Sequence, residues 1–262
     1  MYIFICENSI DGIFTGVYDA WASKYGHKNI TLSTEGAKDN LNLFYEYIAI
    51  ATDYEKSQKV ANTLLQRFGD ATYSELCHAT SSIETGTLAK SQIDKADAIY
   101  KTIVLGLSLS DGSKVLHYLG DPYVNRVFQL SRNAGNEAHH LLGFLRFSEL
   151  ETGILFAKIH PKNNVLPFLA DHFTDRLPQE NFIIYDENRK IAAIHKQGKG
   201  YLIADVPAAS QEFMSRYSEK ELQYRKLWKG FFDSIAIESR RNTNLQQQNI
   251  AKHFRQDTVE FT

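Results

Sequence analysis

Four histidines lie between residues 139 and 172: His139, His140, His160 and His172. Imidazoles beside Asp171 or Asp175 carry the donor atoms for zinc or iron. Their spacing matches no standard ligand pattern, and adjacent His139 and His140 point in different directions on a helix. Histidines that pack or hydrogen-bond account for the same pattern, and no metal is assigned. His172 and Arg176 are four apart, so a helix puts them on one face. With Arg146 and Arg189 they could converge on a phosphate, whose oxygens match guanidinium geometry. The competing arrangement pairs these arginines locally with Asp171, Asp175, Asp186 and Glu187. His172, Arg176 and Asp186 together are candidate catalytic residues for a hydrolase or nuclease-like reaction, and Asp186 with His195 or Glu137 with His140 are candidate acid–base pairs. The chain has no nucleotide-binding glycine loop, nucleophile elbow or HExxH signature. No cofactor is implied, and no reaction is named by these residues alone.

The charge distribution adds a direction. The formal net charge is −2, but residues 1–137 hold 12 Lys/Arg against 16 Asp/Glu and residues 138–262 hold 17 against 15. From Arg216 to Arg255 there are nine basic residues against four acids. A basic tail half suits an anionic partner, or forms solvated helix faces. Aromatic residues make up 12% of the chain, which invites base stacking. Most of the rings sit at core periodicity, so burial is the competing expectation. The two cysteines, Cys6 and Cys77, are too few for a disulfide framework and read as core residues. The absence of a signal-peptide pattern and of a long apolar run leads to the expectation of a cytoplasmic protein with no membrane span.

The elements that must position these residues follow from periodicity. Tyr2–Cys6, Asn29–Ser33 and residues 42–51 read as strands around a helix over Ile13–Tyr25 with Asp11 as its cap, a β-α-β-β unit. Asp53 caps a helix to Phe68, Gly69 stops it, and Asp70 starts a shorter one through Thr80. The polar segment 81–87 is the expected boundary between residues 1–85 and a core domain over 86–262. Helices follow over Gln92–Leu107 and from Asp121-Pro122 to about Asn133, with Gly135 as a stop. Leu142–Leu150 and Ile154–His160 read as a strand hairpin. Asn163 or Asn164 caps a helix over Val165–Asp175, and Phe182–Asp186, Ile191–His195 and Gly200–Ala204 are strands. The expectation is an α+β fold: the N-terminal unit, a helical middle, an antiparallel ββαββ sheet and C-terminal helices. Ser218 and Glu221 form a capping box for a helix to about Ile237, whose apolar residues are Leu222, Leu227, Trp228, Phe231, Phe232 and Ile235. A break at 239–242 precedes a helix over Asn244–Phe254.

The order EAHH-x-x-GFLRF, G-x-L-x-A-x-I-x-P, HF-x-x-R, IYD-x-x-R and LW-x-x-F-x-x-x-I-A-I-E-x-R-x-N-x-x-L-Q resembles an uncharacterised bacterial family described as DNA-metabolism and DNA-repair proteins. The resemblance covers about the last two-thirds of the chain, and DGIFTGVYDAW is similar to the start of the family's full-length form. It implies a radical-SAM protein encoded nearby as partner, DNA as ligand, and kinship with chains fused to a uracil-DNA glycosylase-like domain. The family positions present here are His139, Arg146, Phe147, Pro161, His172, Phe173, Arg176, Tyr185, Asp186, Arg189, Trp228, Arg240, Asn242 and Gln246. Of these, His139, Arg146, Tyr185, Arg189, Arg240, Asn242 and Gln246 are the expected substrate or nucleic-acid contacts. The family's P-x-R-Y-W ending is replaced by Ala251, Lys252, His253 and Phe254. The resulting expectation is a protein that assists recognition or processing of modified or damaged DNA. The alternatives are a stand-alone hydrolase or a protein-interaction module.

Overall fold

A computed structural model describes residues 1–34, 44–207, 211–240, 242–250, 252–255 and 258–259. It divides into two compact units, Met1–Asn136 and Glu137–Thr262. Residues 42 and 43 of the expected third strand, Arg241 in the tail break, and Ala251 and Gln256 of the altered ending lie outside the described residues.

In the first unit, β1 (Tyr2–Ile5), β2 (Ile30–Ser33) and β3 (Glu46–Ala49) form a parallel sheet in the order β2-β1-β3. Helix α1 (Ile10–Ala22) starts at Ser9, whose hydroxyl accepts from the Gly12 N–H, and not at Asp11. Asp11 instead accepts the Ser57 hydroxyl at 2.6 Å, tying α1 to α2 (Tyr54–Ser81). Asp53 caps α2, as its side chain and extended backbone dictate. Gly69, at φ 78°, breaks the helix in the middle, a conformation that glycine adopts without strain. Helix α3 (Lys95–Ser108) follows Asp94, whose carboxylate accepts from Ala96 N–H and from Thr34 N–H. Phe68 is 1% exposed and sits against Gly106 and Gly112, where added Cβ atoms would lie 2.5 Å from its ring. Lys95 is buried with its ammonium on the Thr80 and Ser82 carbonyls, and burial pulls its pKa down to about 8.

Helix α4 (Pro122–Phe144) begins where Asp121 accepts from Tyr123 and Val124 N–H. It runs through Gly135, the expected stop, and through the first part of the expected strand at Leu142–Leu150. Gly135 lies beside the His78 ring, and isolated helix glycines cost only about 1 kcal/mol, less than the packing of the flanking turns returns. What remains of that strand is β4 (Ser148–Glu149).

The second unit carries β5 (Leu155–Ile159), β6 (Phe182–Asp186), β7 (Ile191–His195) and β8 (Tyr201–Asp205) beside β4, in the order β4-β5-β6-β7-β8. The α+β class is as expected, but the sheet is mixed and not antiparallel. β5 and β6 are parallel, with Lys158 beside Tyr185 and Ile159 beside Asp186. The helix between them, α5 (Leu166–Arg176), is a crossover of the length that parallel neighbours need. Its N-cap is Val165 without a side-chain bond, because Asn163 is used elsewhere. Leu166, Leu169, Ala170 and Phe173 of α5 are buried. Phe147 bridges the Phe173 and Phe182 rings at 5.1 and 5.6 Å. On the opposite face, Leu150, Phe156, Tyr185 and Ala192 form a second small core with Ile183, Val206, Met214 and Tyr217.

Beyond the sheet lie α6 (Gln211–Met214), α7 (Glu219–Ile235), α8 (Thr243–Asn249) and α9 (Lys252–Arg255). The expected single helix over Asn244–Phe254 is thus two short ones. Ser218 caps α7 through Glu221 N–H, but the Glu221 carboxylate takes Arg225 and the Glu149 N–H. The capping box is therefore half formed. Phe254 anchors the altered ending, packed against His140 and Phe144 at 5.5 and 5.6 Å. Among the described residues no helix is long and apolar enough to cross a membrane.

Candidate functional site

The parallel pair β5–β6 ends at two loops, residues 160–165 and 187–190. The carboxyl ends of parallel strands are where open sheets commonly place ligands, because connecting loops diverge there. Here one of the two loops is clamped from both sides. Glu137 of α4, 7% exposed, accepts from Lys162 N–H at 2.8 Å, Asn163 N–H at 2.7 Å and the Asn163 amide at 2.8 Å. From the other side, the Asn188 amide and the Arg189 guanidinium both donate to the Pro161 carbonyl, and Arg189 also donates to the Lys162 carbonyl. Asp186 holds Arg189 in place. It is fully buried, takes Asn188 and Arg189 N–H on one oxygen, and takes the Arg189 guanidinium at 2.9 Å on the other.

This clamp decides the fate of several expected site residues. Asp186 and Arg189 are brought together, as a turn-and-loop anchor that leaves neither Asp186 oxygen open to a substrate. Of the two arrangements open for the arginines, this pair follows the local network. Glu187 pairs with Lys190 at 2.6 Å, and burial pushes the Asp171 carboxyl above the usual carboxylate range, with the Tyr201 phenol opposing the shift. His172 and Arg176 are exposed on α5, and no hydrogen bond or ion pair among the described residues joins them to Asp186 or Arg189. Arg146 lies in the loop after α4, not within a strand, and donates to the Gly143 and Leu145 carbonyls at the helix end. His139 is exposed on α4. Asn242 caps α8 through Leu245 N–H at 2.9 Å, Gln246 is half-buried in α8, and Arg240 is exposed in the turn before it. Glu137, weighed as a partner of His140, serves the loop. His195 stacks on Phe182 at 4.6 Å and bonds the Glu180 carbonyl, so its ring is a core residue. Among the described residues no group of three or more His, Cys, Asp or Glu is arranged around a metal position.

The open chemistry lies on the face of the sheet opposite α5. A cleft of about 250 Å³ is lined by Phe156, Lys158, Tyr185, Glu187, Met214, Ser215 and Tyr217. Strand alternation puts Phe156 and Lys158 on this face, and the parallel register sets Tyr185 beside Lys158. The hydrogen bond from Lys190, with Lys158 and His160 nearby, holds the Glu187 carboxyl below the usual carboxylate range. The cleft wall continues into α7. The Arg225 guanidinium lies over the Tyr217 ring at 4.1 Å and is fixed there by Glu221 and the Ser148 hydroxyl.

Helix α7 buries none of its residues. Of its expected apolar residues Phe232 is half-buried and the others are exposed: Leu222 47%, Leu227 68%, Trp228 45%, Phe231 53% and Ile235 57%, with Tyr224 at 62%. Tyr224, Trp228, Phe231 and Ile235 recur at helical spacing and form one stripe. Trp228 and Phe231 are 5.8 Å apart. Lys220 lies one turn earlier on the same stripe, and Arg225 and Lys229 flank it. The sequence named Trp228 and the basic run, but burial was the default for amphipathic aromatics. Lys158, Lys190 and Tyr217 went unnoticed, and Glu187 was named only as a partner for the arginines, because only the parallel register and the approach of α6 put them together.

The fold and this surface define an α+β protein with two compact units, whose second unit presents an aromatic, basic helix beside a polar cleft. A family model described as a domain of unknown function, DUF4130, matches residues 93–260, more than half of the chain, and the protein belongs to that family. The match begins inside the first compact unit. No curated protein matches the chain.

Proposed function

We propose that the protein is a cytoplasmic DNA-metabolism factor that binds single-stranded nucleic acid along α7 and presents a base to the adjoining cleft. The observation that carries this is the exposed Tyr224–Trp228–Phe231 stripe with lysines around it. Solvent-exposed aromatic rings cost free energy in water unless something stacks on them. Bases stack on any aromatic face, while nearby ammonium groups meet the phosphates. Lys220 and Lys226 make no ion pair among the described residues, so both are open to phosphate. The resemblance of the family motifs to DNA-metabolism proteins supports the same reading. It also supports a radical-SAM protein as the partner that would act on the base.

The test is fluorescence anisotropy of a labelled single-stranded oligonucleotide with the full chain. Binding should weaken steeply with salt, as counterion release requires. Trp228→Ala should weaken it about tenfold, within the roughly 1–3 kcal/mol of one stacked base, and Lys220→Glu should lower the salt slope. No binding at low salt, or binding that Trp228→Ala leaves unchanged, would refute the reading. Capture of a protein partner by the same stripe in the absence of nucleic acid would make it a protein-docking face instead.

A further inference from the structure

The first compact unit has an opening of its own. Helices α1, α2 and α3 leave a groove of about 460 Å³ between Val17, Tyr18, Trp21 and Ala22, Lys59, Val60, Thr63 and Leu64, and Ile103 and Leu107. Its floor reaches the core: Val17 is 3% exposed, Leu64 1% and Ile103 1%. The volume falls within the range of small-molecule sites, roughly 300–1,000 Å³.

One wall decides the chemistry. Two lysines, Lys56 and Lys59, stand over the Tyr18 ring, each with its ammonium 5.8 Å from the ring centroid. They are not equivalent. Lys56 is held by Asp19 at 2.7 Å. Lys59 lines the groove and has no carboxylate partner among the described residues. The lining is otherwise aliphatic and aromatic apart from the Thr63 hydroxyl and the Tyr18 phenol. A ligand that matches it has an apolar body and one negative charge at one end.

We propose that this groove binds a small amphipathic monocarboxylate, with an aliphatic chain or single ring between α1, α2 and α3 and its carboxylate on Lys59. The floor of core residues favours a narrow small molecule over a partner helix, which needs a longer trough. A neutral ligand of the same shape would leave Lys59 unused. The site lies within the first unit and does not depend on the nucleic-acid reading of α7.

Trp21 supplies the readout, since its indole lines the groove and is 42% exposed. The chain has two tryptophans, so Trp228→Phe isolates the Trp21 signal. Full-length Trp228→Phe protein is titrated with octanoate and, separately, with 1-octanol. The expected result is a saturable Trp21 change with octanoate at least about tenfold tighter than with octanol, the scale of one charge-assisted contact. Adding Lys59→Gln should erase that difference by weakening octanoate alone. Adding Thr63→Phe, at an exposed rim position that is safe for folding, should weaken both. Equal affinity for octanoate and octanol, or octanoate binding unchanged by Lys59→Gln, would overturn the carboxylate assignment. No saturable signal with either ligand, in protein whose circular dichroism is native, would overturn the site.

Discussion

Replacing Glu137 with glutamine tests the clamp that orders the loop after β5. The carboxylate is 7% exposed and accepts three hydrogen bonds from the Lys162–Asn163 segment. Glutamine has nearly the same shape but only one acceptor oxygen. If that oxygen stays with Asn163, the amide NH₂ faces the Lys162 N–H, and two donors meet. One charge-assisted hydrogen bond is lost outright, worth about 1.5–3 kcal/mol, and two others weaken to neutral strength. The wild-type carboxylate also loses hydration on burial, which glutamine avoids in part. The net expectation is a local loss of about 2–3 kcal/mol. Hydrogen exchange reads this directly at the Lys162 and Asn163 amides. At 1.36 kcal/mol per tenfold, exchange should quicken roughly 30- to 150-fold in Glu137→Gln. The Ile194 and Leu202 amides, paired across the β7–β8 ladder, should change little. Unchanged protection at Lys162 and Asn163 would show that the Arg189 side of the clamp suffices and that the Glu137 bonds carry none of the ordering.

Two further predictions concern the first unit. Burial pushes the Asp97 carboxyl up to about 6, opposed by Lys101 and the Leu32 N–H and assisted by Asp94. The folded state therefore favours the protonated acid, and its contribution to stability declines as pH rises from about 4 through 6. Asp97→Asn should be near neutral or destabilising at pH 4 and should gain on wild type by up to about 3 kcal/mol at pH 7, measured by chemical denaturation at both pH values. A pH-independent difference would refute it. Gly106→Ala places a methyl 2.5 Å from the Phe68 ring, and overpacking of this kind costs about 1–3 kcal/mol despite the better helix propensity of alanine. Thermal melting should show the loss, and a stabilised variant would mean that Phe68 can move aside.

The fold was legible where local chemistry decides it. Asp53, Asp121 and Ser218 each cap the helix that their side chains announced. Gly69 stops the first part of α2, and β6, β7 and β8 sit where alternation placed them. Gly135 misled because a single glycine is a weak stop when the apolar face continues beyond it, as Ala138, Leu141 and Leu145 do. The parallel pairing of β5 and β6 was open to inspection in principle, since the 22 residues between them contain a helix. Short connections elsewhere favoured the antiparallel reading. In the site, residue types were legible in the sequence, but their partners were not. Asp186 and Arg189 were visible as a pair three apart, yet only the approach of the Pro161–Lys162 loop shows that they work as an anchor.

The order of amino acids thus determined the caps, the strand periodicity, the basic tail and the family motifs. All of these depend on neighbours within a few residues. Tertiary structure alone decided which charges are consumed and which remain open. Glu137, Asp186 and Arg189 are spent on one loop because residues about 25 apart meet there. The α7 stripe stays in water because, among the described residues, none buries it. Amphipathic spacing is the same for a helix that is buried and for one that waits for a ligand, so pattern alone could not separate the two.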